Sequence, residues 1–437
     1  MTRSGVLPDQ PIASLADYRA LGGGAGLSAA LRLPAADVLC IVDDAGLRGR
    51  GGAGFPTARK WSSVLEAAGD GHPALVCNAA EGEPGTYKDR ALMARNPFQV
   101  LEGMLIAARA LGASPVVVAT KRRYAHEAQR LAAARKEMVD AGWDGADRLE
   151  VVVGPDEYLY GEETALLEVI EGKLPMPRIL PPYMYGLHAT MQSPNPTVVN
   201  NVETFAHVAD ILAHGAEAFR AHGTQEAPGT MVFTVVGDVA VPGVYELPLG
   251  TPLRTLLEIA EAEDVKAVYS GVSNAVITPA VLDLPMDFDS FAEAGLGLGS
   301  GGFVVYDRSR CIVDVVATLS RFLAVESCAQ CPPCKLHGVE IWERLAAVCA
   351  GGSSPADLED IRRRCLLVSE GNRCYLPVGH ALVVQSALDA YAEEFAAAVA
   401  TPHDHPNPAP VPKLDRLEDT AEFDADYHRK RLDWSYG

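Results

Sequence analysis

Between Pro73 and Gly172 short apolar runs alternate with segments whose apolar positions recur every three to four residues. Leu75 to Cys77, Pro115 to Ala119 and Leu149 to Val153 read as strands, and Phe98 to Leu111 places Val100, Leu101, Met104, Leu105, Ala108 and Leu111 at helical spacing. That alternation predicts an α/β unit. Leu174 to Pro196 breaks the pattern with six prolines among Met176, Ile179, Leu180, Tyr183, Tyr185 and Leu187, as a long apolar binding loop does. After Gly229 the period changes. Thr230 to Val236, Val244 to Leu247, Ala267 to Ser270 and Gly302 to Tyr306 predict strands around one helix at Leu253 to Glu261, a small β-rich module. From Cys311 to Ala400 helical spacing dominates, and Thr401 to Gly437, Pro-rich and then charged, reads as an arm that is disordered or laid on a neighbour. The expected division is 1–228, 229–308, 309–400 and 401–437.

With 437 residues there is room for two or three domains. The 37 basic residues stand against 57 acidic ones, net −20, which argues against nucleic acid and anionic membrane as main partners. No run of 18 uncharged apolar residues exists. Even Cys311 to Val325 contains Asp314 and Arg321, so no membrane insertion is expected. Nine cysteines, an odd number, with no charged-then-apolar leader at Met1 to Gln10 predict reduced thiols and a cytoplasmic chain, peripheral to a membrane only through partners.

Cys328, Cys331 and Cys334 form CxxCxxC, and two-residue gaps let one loop wrap three corners of an iron–sulfur cubane while the chain returns once for the fourth. A structural zinc also takes four thiolates, but usually from two separated CxxC pairs. Cys349, Cys365 and Cys374 compete for the fourth place. Cys365 lies in a helical stretch and Cys349 at a helix end. Cys374 follows Gly371 and Asn372 and precedes Pro377, a loop able to turn a thiolate toward a cluster, and is the expected ligand.

Gly49-Arg50-Gly51-Gly52-Ala53-Gly54 matches GxGxxG, yet the segment before it has Val38, Ile41, Val42 and Ala45 at helical spacing and stops at Gly46, so no strand precedes it and the dinucleotide fingerprint fails. The glycines still permit a backbone nest for a phosphate, with Arg48, Arg50 and Lys60 as adjoining positive charge. Asn78 to Arg90, with Glu81 and Glu83, and Tyr158 to Thr164, with Glu162 and Glu163, each follow a strand, where open α/β sheets hold ligands. Their carboxylates suit ribose, ribityl or amide groups; Glu162 and Glu163 equally suit the first turn of the helix after them. Of Asn200 and Asn201, one reads as an N-cap and the other as a donor and acceptor for a flavin.

Taken together, Gly-Leu-Arg-Gly-Arg-Gly-Gly-Ala-Gly-Phe-Pro-Thr, Glu-x-Glu-Pro-Gly-Thr-x-Lys-Asp-Arg, Tyr-x-x-Gly-Glu-Glu-Thr-Ala, Val-Asn-Asn-Val-Glu-Thr and the cysteine set resemble the NADH-binding flavoprotein subunit of respiratory complex I. Subunits of NAD-linked hydrogenases and formate dehydrogenases are similar. The resemblance runs from about Asp17 to about Ala400. It implies a Rossmann-like α/β domain for FMN and NADH, a β-grasp domain of the soluble-ligand-binding type, and a helical bundle holding a [4Fe-4S] cluster. It further implies FMN contacts at Gly49, Gly51, Gly52, Lys60, Asn78, Tyr158, Gly161, Asn200, Asn201 and Thr204, and NADH contacts at Phe55, Glu81, Glu83, Glu162 and Glu163, with Glu81, Glu83 and Glu162 nearest the chemistry. The resemblance also implies that NADH reduces FMN and that electrons leave singly through the cluster to a thioredoxin-like [2Fe-2S] subunit and further electron-transfer subunits. After the four ligands, Cys40, Cys77, Cys311, Cys349 and Cys365 are too scattered for a second cluster.

Three positions depart from the family's pattern. Ala80 stands where Asn-Ala-Asp-Glu has its aspartate, Ser63 where an aromatic follows Lys-Trp-Ser, and Leu180 where Lys-Pro-Pro-Phe has its lysine, while Tyr183 keeps a ring able to stack. A lost charge-assisted hydrogen bond is worth roughly 1.5–3 kcal/mol and a lost aromatic pair about 0.5–1.5. Three readings result: an NADH-oxidising flavoprotein, a paralogous flavin and iron–sulfur relay or scaffold that no longer oxidises NADH, or a zinc-stabilised interaction protein with an empty pocket.

Overall fold

The computed structural model describes residues 5–400 and 409–437. Four strands, β1 (Ala74–Ala79), β2 (Val116–Lys121), β3 (Leu149–Gly154) and β4 (Thr197–Asn201), run parallel in the order β3-β2-β1-β4. The middles of β1, β2 and β4 are apolar because both faces are covered there, while β3 at the sheet edge carries the exposed Glu150 and a half-exposed Val153. Leu75, Cys77, Val116, Val118 and Val198 pack with the helices Pro97–Leu111 and Val202–His214, and Val76, Val117, Ala119 and Val199 pack with Tyr160, Leu166 and Leu187 on the other side. Those two helices touch at Gly103, where a Cβ would lie 1.8 Å from the Phe205 carbonyl oxygen. The chain leaves β1 toward β2 and β3 on one side and returns to β4 on the other. That reversal opens a crevice beyond the carboxyl ends of β1 and β4.

A second sheet holds β5 (Thr230–Gly237), β6 (Gly243–Pro248), β7 (Val265–Ser270) and β8 (Gly302–Asp307) in the order β6-β5-β8-β7, with only β5 and β8 parallel. Leu253, Leu256 and Leu257 of the helix Leu253–Ile259 pack with Met231, Phe233, Phe291 and Phe303. The helix stops two residues short of the expected Glu261, which itself adopts φ 50°. From Ile312 the chain forms the helices Ile312–Glu326, Pro332–Cys349, Pro355–Leu367, Leu376–Ala390 and Ala392–Ala400. Val316, Leu319, Phe322, Ile341, Leu345, Ile361, Val383 and Val384 share one core.

The arm is a correction. Residues 401–408 lie outside the described residues, but 409–437 are ordered against their own chain, with a hairpin of β9 (Leu414–Leu417) and β10 (Ala421–Phe423). Tyr427 is fully buried and donates to Glu326 (2.8 Å), and Lys430 pairs with the same carboxylate (2.8 Å). Pro412 accepts from the Gly85 amide (2.7 Å), and Arg90 donates to the Asp415 carbonyl (2.8 Å). A polar composition hid these few apolar and ionic anchors.

The two sheets are joined by buried polar groups. Glu203, in the first turn of its helix, accepts from the Val232 amide (2.8 Å) and pairs with Lys88 (2.9 Å), and the Lys88 ammonium also reaches Asp89 (2.7 Å) and Asn201 (3.1 Å). Burial pushes the Glu203 carboxyl upward, and Lys88, His207 and Arg50 more than reverse this, leaving it at about 2. A carboxylate held that low adds stability above its ordinary value and loses it as pH falls through about 2. Glu203→Ala strands a buried ammonium and an amide, and is expected to cost about 3–5 kcal/mol in chemical denaturation at neutral pH. Relative to the native chain its deficit shrinks as pH falls toward 2.

Candidate functional site

The crevice is bordered by the glycine loop, which lies between the helices Ala35–Asp44 and Thr57–Ala68. Gly49 donates to Phe55 O (2.8 Å) and closes the loop. Gly52 at φ 127° and Gly54 at φ 60° take conformations that side chains resist, and a Cβ on Gly54 would lie 2.5 Å from the Phe288 ring. The Thr204 hydroxyl accepts from the Arg50 amide (2.9 Å), so the fully buried Thr204 shapes the loop from behind rather than facing the crevice.

Two of the three expected cations are turned elsewhere. Arg50 is fully buried and donates to Thr230 O (2.9 Å) and Arg48 O (2.7 Å), which corrects its assignment as phosphate-side charge. Arg48 donates to Gly54 O (2.6 Å), pairs with Asp289 (2.7 Å) and lies over the Phe288 ring. An arginine's five donors are readily consumed by carbonyls of its own turn, and nothing in the sequence reports this. Lys60 remains partly exposed, with its ammonium on Glu163 (2.5 Å) and Val199 O (3.0 Å).

At the strand ends, Asn78 donates to Gly161 O (2.7 Å) and accepts from the Ala80 amide (3.2 Å), lacing β1 to the 3-10 turn Tyr158–Gly161. A Cβ on Gly161 would lie 3.0 Å from Ala80 O. Asn200 accepts from the Trp61 indole (2.9 Å), while Asn201 caps the next helix through the Glu203 amide (3.0 Å) and donates to Asp89 (2.6 Å). Asn201 is therefore the N-cap of the pair. Trp61, fully buried, went unnoticed in the sequence because an apolar helix stripe accounts for it.

The carboxylates are engaged with the scaffold. Glu81 accepts from the Asp89 (3.1 Å) and Arg90 (3.4 Å) amides at the start of the helix Lys88–Arg95. Burial, with Asp89 nearby, raises its pKa. Glu83 accepts from Tyr158 Oη (2.6 Å), the Val272 amide (2.7 Å) and Ser273 Oγ (3.0 Å), and burial raises it as well. Glu162 caps the helix Glu163–Ile170 through Thr164 and Ala165, as dipole reasoning allowed. None of the three stands as a free general acid or base. Phe55 and Tyr183 are exposed at the surface, and the loop of Tyr183 is pinned by Arg178 on Glu168 (2.5 Å), Glu171 (2.6 Å) and Gly186 O (2.7 Å).

Cys328, Cys331, Cys334 and Cys374 line one cavity with Leu159, Pro177, Ser327, Leu376 and Pro377. Three thiols from one CxxCxxC loop and a fourth returned from a distant segment line that single cavity, the donor set a cubane cluster takes. Cys365 is instead buried on its helix, and the Cys349 thiol, at the end of its own, lies within electrostatic reach of Cys311 and Asp314. Burial pushes Cys334 up to about 11 and Cys374 up to about 12, so the bare thiols are neutral and iron would have to displace their protons. Ser327 Oγ lies 3.2 Å from Cys334 Sγ, and Lys335 ties Ser327 O (3.1 Å) to Ala324 O (3.0 Å).

One turn serves both places. Tyr158 reaches Glu83 and packs edge-on against Phe322 (5.2 Å), which lies on the helix leading to Cys328; Leu159 lines the cysteine cavity; and Glu162, just past the turn, lies within electrostatic reach of Cys374.

Three family models match the chain: the Nuo51 FMN-binding domain over residues 42–210, the SLBB domain over 232–260, and the NADH-ubiquinone oxidoreductase-F iron-sulfur binding region over 314–398. The F 2 subunit of NADH-quinone oxidoreductase from Rhizobium meliloti (strain 1021) is 40% identical over 402 residues, 88% of this chain and 94% of that protein. The F subunit of NADH-quinone oxidoreductase from Escherichia coli (strain K12) is 37% identical, covering 89% and 90%, and the NADP-reducing hydrogenase subunit HndC of Solidesulfovibrio fructosivorans is 34% identical, covering 88% and 81%. The structure of an NAD+-reducing [NiFe]-hydrogenase in its H2-reduced state superposes with a TM-score of 0.79 at 34% identity, over 91% of this chain and 66% of that one. None of the helices among the described residues is long and apolar enough to cross a membrane. With a glycine loop at a parallel-sheet crevice, four thiols around one cavity and this identity over nearly nine-tenths of its length, the chain belongs to the family of NADH-quinone oxidoreductase F subunits.

Proposed function

We propose that this chain is an electron-input flavoprotein subunit that oxidises NADH and delivers electrons singly to a partner iron–sulfur subunit, with FMN and a [4Fe-4S] cluster as its resident groups. FMN, when bound, accepts a hydride and exchanges electrons one at a time, and the cluster accepts them singly. The observation that carries the reading is the turn Tyr158–Gly161, which borders the sheet crevice on one side and the four-cysteine cavity on the other. Electrons entering at the crevice would pass that turn to reach the thiols.

The residues divide the work. The backbone of Gly49, Gly51 and Gly52 receives the phosphate, and Lys60 supplies the charge. Asn78, Gly161 and Asn200 shape the flavin's side of the crevice; Thr204 and Asn201 support it. Phe55 and Tyr183 offer exposed rings to the dinucleotide, with Glu163 beside Lys60. Glu81, Glu83 and Glu162 hold the loops that form the crevice wall. Ala80 is buried in the apolar cluster of Val76, Tyr160 and Leu166, and its backbone keeps the β1 end in place without a carboxylate. The sheet order β6-β5-β8-β7 packed with the helices Leu253–Ile259 and Phe288–Glu293 supports a β-grasp module over 229–308, between a Rossmann-like unit over 1–228 and a helical bundle over 309–400. A thioredoxin-like [2Fe-2S] subunit is the proposed acceptor, and the assembly sits peripheral to a membrane through such partners.

Anaerobic NADH added to protein reconstituted with FMN, iron and sulfide is expected to bleach the flavin band. A sample that dithionite reduces but neither NADH nor NADPH does would leave the relay reading, which Ser63, Ala80 and Leu180 favour. Lys60→Ala is expected to weaken FMN binding by about 1.5–3 kcal/mol, roughly 10- to 150-fold, in fluorescence titration. Cys374→Ser is expected to lose most of its iron and acid-labile sulfide while Cys349→Ser and Cys365→Ser keep theirs; equal retention by all three would remove Cys374 from the ligand set.

A further inference from the structure

Lys121 ends β2 beneath the loop that carries Glu81 and Glu83, and it is 2% exposed. Among the described residues the other buried lysines and arginines, Arg50, Lys88, Arg90, Arg178 and Lys430, all donate to carboxylates or carbonyls. No hydrogen bond or ion pair joins the Lys121 ammonium to a described residue. It packs on Gly82, where a Cβ would lie 2.4 Å from Nζ and 3.4 Å from Tyr158 O. The charge is thus wedged between the loop of Glu83 and the turn of Tyr158, the two segments that separate the crevice from the cysteine cavity.

An unpaired charge at such depth costs several kcal/mol, and negative charge arriving beside it relieves that cost. We propose that Lys121 is a positioning residue for electron transfer, the unpaired buried cation whose charge favours the reduced form of the flavin held beside Glu83 and Tyr158. The proposal rests on the FMN reading above. Around Lys121 the like charges are Lys413 on the arm and Arg123 after β2, and the opposite ones are Glu326 at the end of its helix, Asp156 after β3 and Glu83. Burial first, then Lys413, brings the amine down to about 7, so its charge is sensitive to pH near neutrality and is held more firmly once the flavin is reduced, the proton coming from solvent.

The test is a mediator-assisted dithionite titration of the flavin in the full chain loaded with FMN and cluster, repeated from pH 6 to pH 8.5. Lys121→Met is expected to move the flavin midpoint potential to more negative values and to flatten its change with pH around 7. Lys121→Arg is expected to keep the potential of the acidic native protein and to show the same flattening. A Lys121→Met protein with full FMN content and the native potential at every pH would overturn the proposal. If Lys121→Met does not fold, a native pH response in Lys121→Arg overturns it equally. Dithionite makes the result independent of NADH oxidation, whereas a native chain with no flavin absorbance before titration would overturn the FMN reading itself.

Discussion

The arrangement depends on one buried ionic knot, Lys88 between Glu203, Asp89 and Asn201. Lys88 and Glu203 are wholly inaccessible, so each would be prohibitively costly without the other. Through Asn201 the knot fixes the end of β4, through Asp89 the loop leaving β1, and through Glu203 the Val232 amide in the second sheet. The segments that border the crevice at the reversal of strand order are thus tied to one another by the chain's own side chains.

The same fastening occupies many of the acidic residues of the motifs. Glu81, Glu83 and Glu162 each spend their oxygens on backbone amides or a tyrosine, defining where loops begin and helices start. The glycine loop follows the same logic: Thr204 and Arg50 hold its shape from behind, leaving backbone and Lys60 in front. Motif residues here are divided between those that touch a ligand and those that fix the loops, and identity in sequence does not separate the two.

The first sheet was legible because parallel strands covered on both faces show as short apolar runs, as Leu75 to Cys77 does, and because Leu149 to Val153 is rich in β-branched residues despite its exposed Glu150. The cysteine set was legible because its spacing encodes the loop. What stayed hidden depends on side-chain direction over long separations: that Arg50 turns to Thr230, that Asn200 meets Trp61, and that Lys430 returns to Glu326 from 104 residues away. The arm misled because a few buried contacts outweigh a polar average.

The charge balance acquires a meaning in this light. A chain of net −20 has cations to place, and it buries six of them among the described residues. Arg50, Lys88, Arg90, Arg178 and Lys430 staple loops, sheets and arm together, each against a carboxylate or carbonyl. Structural need accounts for those five, since removing any one strands its partner. It does not account for Lys121, whose ammonium staples nothing and lies where two segments of the proposed cofactor sites meet. Glu83, Glu326 and Asp156 act on that ammonium only at a distance, without a bond, and the proposed role gives the site its remaining complement: the negative charge of electrons held on a reduced flavin beside it.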